Sequence, residues 1–173
     1  RLYEMFLGPI QDSKPWSTKG IDGTHRFLKK LWSLFYGIDH QPQWDDSVPN
    51  KDSLKTLHKT IKKITEDIDN LSLNTSVSQF MICVNELSSQ KCKSLSILKD
   101  LLILLNPFAP HITEELWNST GHEGFIGNSQ WPVFNENHVI EKNKAYPISI
   151  NGKTRTNMEF PIDMSKEDIE SQV

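Results

Sequence analysis

The stretch Asn50 to Leu71, NKDSLKTLHKTIKKITEDIDNL, decides the fold. Leu54, Leu57, Ile61, Ile64, Ile68 and Leu71 recur at alternating steps of three and four, the spacing of one helix face. A helix with such a seam sits against other helices, so the chain reads as a bundle. Asn50 or Asp52 supplies an N-cap. Lys55, Lys59 and Lys62 or Lys63 run along the flank turned away from the seam.

The neighbouring segments follow the same pattern. DGTHRFLKKLWSLFYG, residues 22–37, sets Phe27, Leu28, Leu31, Leu34 and Phe35 against His25, Arg26, Lys29 and Lys30, with Asp22 as N-cap and Gly37 beyond the C-terminus. The polar, proline-containing stretch 37–50 is expected to be a mobile loop. In 74–89, Val77, Phe80, Met81, Val84 and Leu87 share a face, and Asn74 or Thr75 is the cap. SLSILKDLLILL, residues 94–105, is apolar around most of its circumference and should be the buried centre. Asn106-Pro107 ends it, because a residue before proline is pushed out of the α region. A last helix begins with Pro110 near N1 and closes at Gly121.

The character changes after Gly121. Residues 121–138 are loop-like; AYPISI and TRTNMEFPI then read as two strands joined by NGK, and SKEDIESQV as a helix capped by Ser165. The fold class is mainly α: four to five helices in a bundle, then a small, incomplete β-β-α unit. Tyr3 to Phe6 read as the last turns of a helix already under way, broken at Gly8-Pro9, so the chain is expected to be a piece of something larger.

Composition narrows the function. Hydrophobic content of 36% and charged content of 24% over 173 residues describe a soluble globular chain. The longest apolar run, Leu101 to Leu105, is too short to cross a bilayer, and no export signal opens the sequence. The net charge of −3 arises wholly after residue 120, since residues 1–120 hold 14 basic and 14 acidic side chains and residues 121–173 hold 5 and 8. Phosphates respond to local potential, so the lysine stripe of 55–63 and the cluster Arg26, Lys29, Lys30 are candidate contacts for an RNA backbone. Lys14, Trp16 and Lys19 beside the first break, and Lys153 and Arg155 at the hairpin turn, are further candidates. Against each stands the plainer reading of lysines as solubilising groups and of Trp16 as a core plug.

A catalytic site is harder to assemble. There is no glycine-rich phosphate loop and no nucleophile elbow, so no catalytic residue is assigned. His111, Glu114 and Glu115 have helical spacing, but a third metal ligand is not visible, and first-turn acids complementing the helix dipole are the simpler account. Cys83 and Cys92 read as two reduced thiols rather than a disulfide or metal site.

The stretches RLYEMFLGPIQDSKPWSTKGIDGTHRFLKKLWSLF, NPFAPHITEELW, SQWP and ISINGKTRTNMEFPIDMSKEDIE resemble, in that order, the part of bacterial class I leucyl-tRNA synthetases that follows their KMSKS loop. NPFAPHITEELW is shared more loosely with the isoleucyl, valyl and methionyl enzymes, whereas YEMFLGP…KPW and NGK-x-R favour leucyl. The resemblance implies residues 1–20 as exit helix and joint from the catalytic domain. It further implies 21–121 as an anticodon-binding-type bundle, 122–140 as linker, and 141–173 as the start of the C-terminal domain. The HIGH and KMSKS motifs are not in this sequence, so the chain would position leucine-specific tRNA while chemistry happens in the catalytic and editing domains of the same polypeptide. No cofactor is implied for the chain itself; ATP and Mg2+ belong to the full-length enzyme, a cytoplasmic monomer with no membrane partner. Two competing readings are a protein-interaction bundle without an RNA role and a metalloenzyme built on His111 and Glu115.

Overall fold

The computed structural model describes residues 1–140 and the backbone of 143–150 and 153–161. It divides into two compact units, Arg1–Val139 and Ile140–Val173. The first holds α1 (Leu2–Phe6), α2 (Ile21–Phe35), α3 (Lys51–Asp69), α4 (Leu73–Ser89), α5 (Leu95–Leu105) and α6 (Pro110–Ser119), then two short 3-10 turns, Ile126–Asn128 and Glu136–His138. In the second, β1 (Asn143–Ile150) and β2 (Lys153–Pro161) pair antiparallel. The mainly α class with a five-helix bundle, α2 to α6, and a following β-hairpin is what the periodicity requires. The turn residues 151–152 and the helix expected at 165–173 lie outside the described residues.

The leucine and isoleucine seams form the core. Leu57, Ile61 and Ile64 of α3, Val77, Phe80, Val84 and Leu87 of α4, and most of α5 are buried. Phe80 meets Phe108 edge-to-face, with centroids 5.2 Å apart, a favoured aromatic geometry. α4 packs against α1, α2 and α3, while α5 packs against α3 and α6. The seam of α3 stops short of its expected end: Leu71 is exposed and has a φ of 54°. The helix has already terminated at Asp69.

Polar side chains share the α3–α4 contact. Thr56 Oγ1 donates to Glu86 Oε2 at 2.7 Å and accepts from Gln90 Nε2 at 3.1 Å. Ser53 Oγ donates to Gln90 Oε1 at 2.9 Å, and Gln79 Nε2 to Thr60 Oγ1 at 3.0 Å. Asp67, almost wholly buried, accepts from Thr75 Oγ1 at 2.7 Å and from Lys63 Nζ at 2.5 Å. The buried members of this set, Ser53, Thr56, Thr60 and Asp67, each have a partner, which is the condition for burying them without a large penalty.

Several capping expectations are corrected. α2 starts at Ile21 with Gly20 as N-cap, so Asp22 lies inside the first turn, and Tyr36 leaves the helix in an extended conformation without a left-handed glycine. α4 starts at Leu73 after Ser72, earlier than Asn74 or Thr75. Asn50 does cap α3, accepting from the Ser53 N–H at 2.7 Å. α5 ends at Leu105 as expected, but Asn106 keeps α-region angles (φ −53°, ψ −42°). Proline therefore ends this helix through its missing N–H rather than through its neighbour's conformation. Gly121, with φ of 82°, follows α6 as the left-handed residue expected there.

Candidate nucleic-acid interface

α2 buries Thr24, Phe27, Leu31, Leu34 and Phe35, and this places His25, Arg26, Lys29 and Lys30 on the exposed side. Arg26 Nε donates to the Asp22 carbonyl at 3.4 Å, and Lys30 Nζ to Asn85 Oδ1 of α4 at 2.7 Å. One turn beyond Lys29, Trp32 and Tyr36 stack with centroids 5.1 Å apart and planes 24° from parallel. Trp32 keeps 36% of its surface exposed. Lys29 and Trp32 are three apart on the helix, and Tyr36, just beyond its end, stacks on Trp32, so cation and rings share a flank. A search of the sequence for cations alone passes over these two aromatics, although their helical spacing from Lys29 is visible there.

α3 presents its lysines differently. Lys59 is exposed and Lys55 half-buried. Lys62 places its ammonium 5.6 Å from the centroid of the Phe134 ring, a cation–π arrangement. Lys63 forms the ion pair with Asp67; the lysine is 45% exposed and the carboxylate 6%. Both α2 and α3 pack on α4, so the two cationic groups stand on different helices flanking a third.

At the first break, Lys14 pairs with Asp12 at 3.4 Å, and Lys19 is exposed. Trp16 is 63% exposed and meets Tyr3 edge-on at 5.6 Å, which corrects its reading as a core plug. The Tyr3 hydroxyl donates to the Ser17 carbonyl. Gly20 makes room for this ring, since a Cβ there would stand 3.2 Å from Tyr3 Cε2. The joint is thus anchored while its tryptophan faces outward. Lys153 and Arg155 lie on β2, where Thr154 faces Ser149 and Thr156 faces Ile148, leaving Arg155 as the extra residue of a bulge. Their side chains lie outside the described residues.

Segments read as loop or linker pack on the helices. Gln43 N–H donates to the Phe35 carbonyl at 2.8 Å, Asp45 N–H to the Lys93 carbonyl at 2.9 Å, and Ser94 Oγ to the Ser47 carbonyl at 2.7 Å. The loop expected to be mobile is therefore pinned at both α2 and the start of α5. Ile126 is buried, and its N–H donates to Glu114 Oε2 at 3.2 Å. No acid lies in the first turn of α6, so Glu114 holds the following loop instead of complementing the helix dipole. His111 and Glu115 are both exposed, and among the described residues no group of three or more His, Cys, Asp or Glu comes together as a metal set. Cys83 and Cys92 are free and buried, and burial pushes the Cys83 thiol up to about 12, which leaves it unreactive at neutral pH. Among the described residues no helix is long and apolar enough to cross a membrane.

Residues 50–170 match the family described as the anticodon-binding domain of tRNA ligase. The chain belongs to that family. Its similarity to individual members runs along nearly its whole length. It is 59% identical to the leucine–tRNA ligase of Parabacteroides distasonis over 98% of this chain, and 56% identical to that of Flavobacterium johnsoniae over all of it. In both cases it spans 18% of the relative's length. Among solved structures it resembles the ternary complex of Agrobacterium radiobacter K84 agnB2 LeuRS, tRNA and LeuAMS. That likeness has a TM-score of 0.73 at 27% identity, covering 99% of this chain and 24% of the other.

Proposed function

We propose that this chain is the tRNA-facing part of a leucine–tRNA ligase. It grips the tRNA backbone while leucine is activated with ATP and Mg2+, and transferred, elsewhere in the longer polypeptide. The observation that carries the reading is the unbroken similarity of the whole chain to leucine–tRNA ligases. Its helices add a physical rationale. Arg26, Lys29 and Lys30 project from a rigid helix, so cations meet phosphates without ordering a loop first. The exposed face of Trp32 beside Lys29 offers a surface on which an unpaired base could stack. Lys14, Trp16 and Lys19 extend the contact along the joint, and Lys55, Lys59 and Lys62 form a second rail. Lys63 contributes less, because its ammonium already holds Asp67, while Lys153 and Arg155 add cations from the second unit.

Holding the tRNA in register is a catalytic contribution in its own right, since it removes entropy from the barrier of a reaction carried out by other domains. The domain limits proposed are a joint over 1–20, the bundle over 21–121, a connecting segment over 122–140 and the C-terminal unit from 141. A cytoplasmic, monomeric ligase is the setting this implies. A protein-interaction bundle is the alternative, and salt dependence separates the two. For leucine-specific tRNA, log Kd should rise linearly with log salt. Replacing Arg26, Lys29 and Lys30 by Glu should lower that slope by about one for each phosphate no longer gripped. Binding that is indifferent to salt, or to the triple replacement, rules the phosphate-gripping mechanism out.

A further inference from the structure

The stretch 131–138 lies along α3 as a strap. Trp131 Nε1 donates to Thr65 Oγ1 at 3.0 Å, and Phe134 reaches the His58 ring edge-on at 6.3 Å, beneath the Lys62 ammonium. At the far end the imidazoles of His58 and His138 stack, with centroids 4.4 Å apart and planes 15° from parallel. The Asn135 N–H donates to His58 Nδ1 at 3.2 Å.

We infer that the His58–His138 stack is a protonation-operated latch, closing the 134–138 end of the strap onto α3 while His58 is neutral and releasing it when His58 charges. Two independent features make the closed state demand neutrality. Accepting from Asn135 requires a lone pair on His58 Nδ1, and in the imidazolium both ring nitrogens are donors, so the bond is lost on protonation. Two imidazolium rings at stacking distance also repel, where two neutral rings attract. Among the described residues, the other ionisable groups within a turn of the pair in sequence are Lys55, Lys59 and Lys62 of α3 and Glu136 of the strap. The electrostatic influence on His58 itself comes from His138.

The direction follows from the same contacts. Burial first, and His138 second, hold the His58 pKa below its ordinary 6.5. A histidine with a depressed folded-state pKa favours the closed form above pH 6.5, and that contribution disappears as pH falls through the depressed value. The Trp131–Thr65 bond has no titrating partner, so the strap stays fastened there and peels only beyond it. The same event separates the exposed Lys62 ammonium from the Phe134 ring. The latch does not depend on the RNA reading.

The test is amide exchange of Asn135 together with imidazole titration of the intact chain from pH 8 to pH 5, with exchange corrected for its intrinsic pH dependence. The protection of the Asn135 amide should fall at least about threefold between pH 7.5 and pH 5.5, tracking the His58 titration, while the Ile61 amide stays protected. His58→Phe keeps a stackable ring without the acceptor and should show low protection at every pH. His138→Phe removes the like charge, so the midpoint should move upward and the fall should shrink. Constant protection in the unmodified chain, or the same pH-dependent fall in His58→Phe, overturns the latch. An unmoved midpoint in His138→Phe overturns the stack's part in it.

Discussion

α2 and α3 carry comparable lysine-bearing flanks on comparable apolar seams, yet the rest of the chain treats them differently. On α2 the flank from Arg26 to Lys29 runs on into a stack of exposed Trp32 on half-buried Tyr36. On α3 the C-terminal half of the flank is taken up within the unit: Lys63 neutralises buried Asp67, Lys62 caps the Phe134 ring, and Thr65 receives Trp131. Two helices alike in local pattern thus diverge, partly because a segment more than sixty residues away in sequence binds along one of them and partly because Lys63 pairs with an acid four residues on in its own helix. A basic stripe is most available as a contact surface where no such segment arrives.

The difference between the flanks can be broken in order of expected effect. Reversing Asp67 to Lys should be the most damaging change, since it buries a second cation against Lys63. It should cost about 3–5 kcal/mol of unfolding free energy, read by urea denaturation, whereas Lys29→Glu on the exposed flank should leave stability within about 0.5 kcal/mol. Asp67→Ala should sit between these, at about 1–3 kcal/mol, because Thr75 and Lys63 lose their acceptor. A smaller effect is expected for Trp131→Phe, which keeps an aromatic ring but removes the bond to Thr65, costing about 0.5–1.5 kcal/mol. That change should raise amide exchange along the strap and leave α2 unaltered. Equal sensitivity of the two flanks to charge reversal would show that the difference between them has no energetic content.

Legibility in the sequence followed the range of the interaction. The seams of α3, α4 and α5 were readable because a helix writes its buried face into nearby residues, and the paired strands because alternation and NGK are local signals. Helix starts were less so: Ile21 and Leu73 begin their helices without a side-chain cap bond, so the residues that look like caps, Asp22, Asn74 and Thr75, do not mark where the helices start. The polar row Ser53, Thr56, Thr60 and Asp67 did have helical spacing, but the partners Gln79, Glu86 and Gln90 stand on or beside another helix. The strap was hardest, since Trp131, Phe134 and His138 acquire meaning only from His58, Lys62 and Thr65. For the interface, the cations could be named from the sequence, and the engagement of Lys63 by Asp67, four residues on, is local, whereas that of Lys62 by Phe134 depended on a distant contact.

If α2, rather than the internally engaged end of α3, meets the tRNA backbone, its lysines should be the ones that bound tRNA shields. Lysine acetylation read by mass spectrometry, with and without leucine-specific tRNA, tests this residue by residue. The expected result is that tRNA slows modification of Lys29 and Lys30 while Lys63 reacts at its unbound rate. Protection of Lys63 with Lys29 and Lys30 unchanged would contradict it.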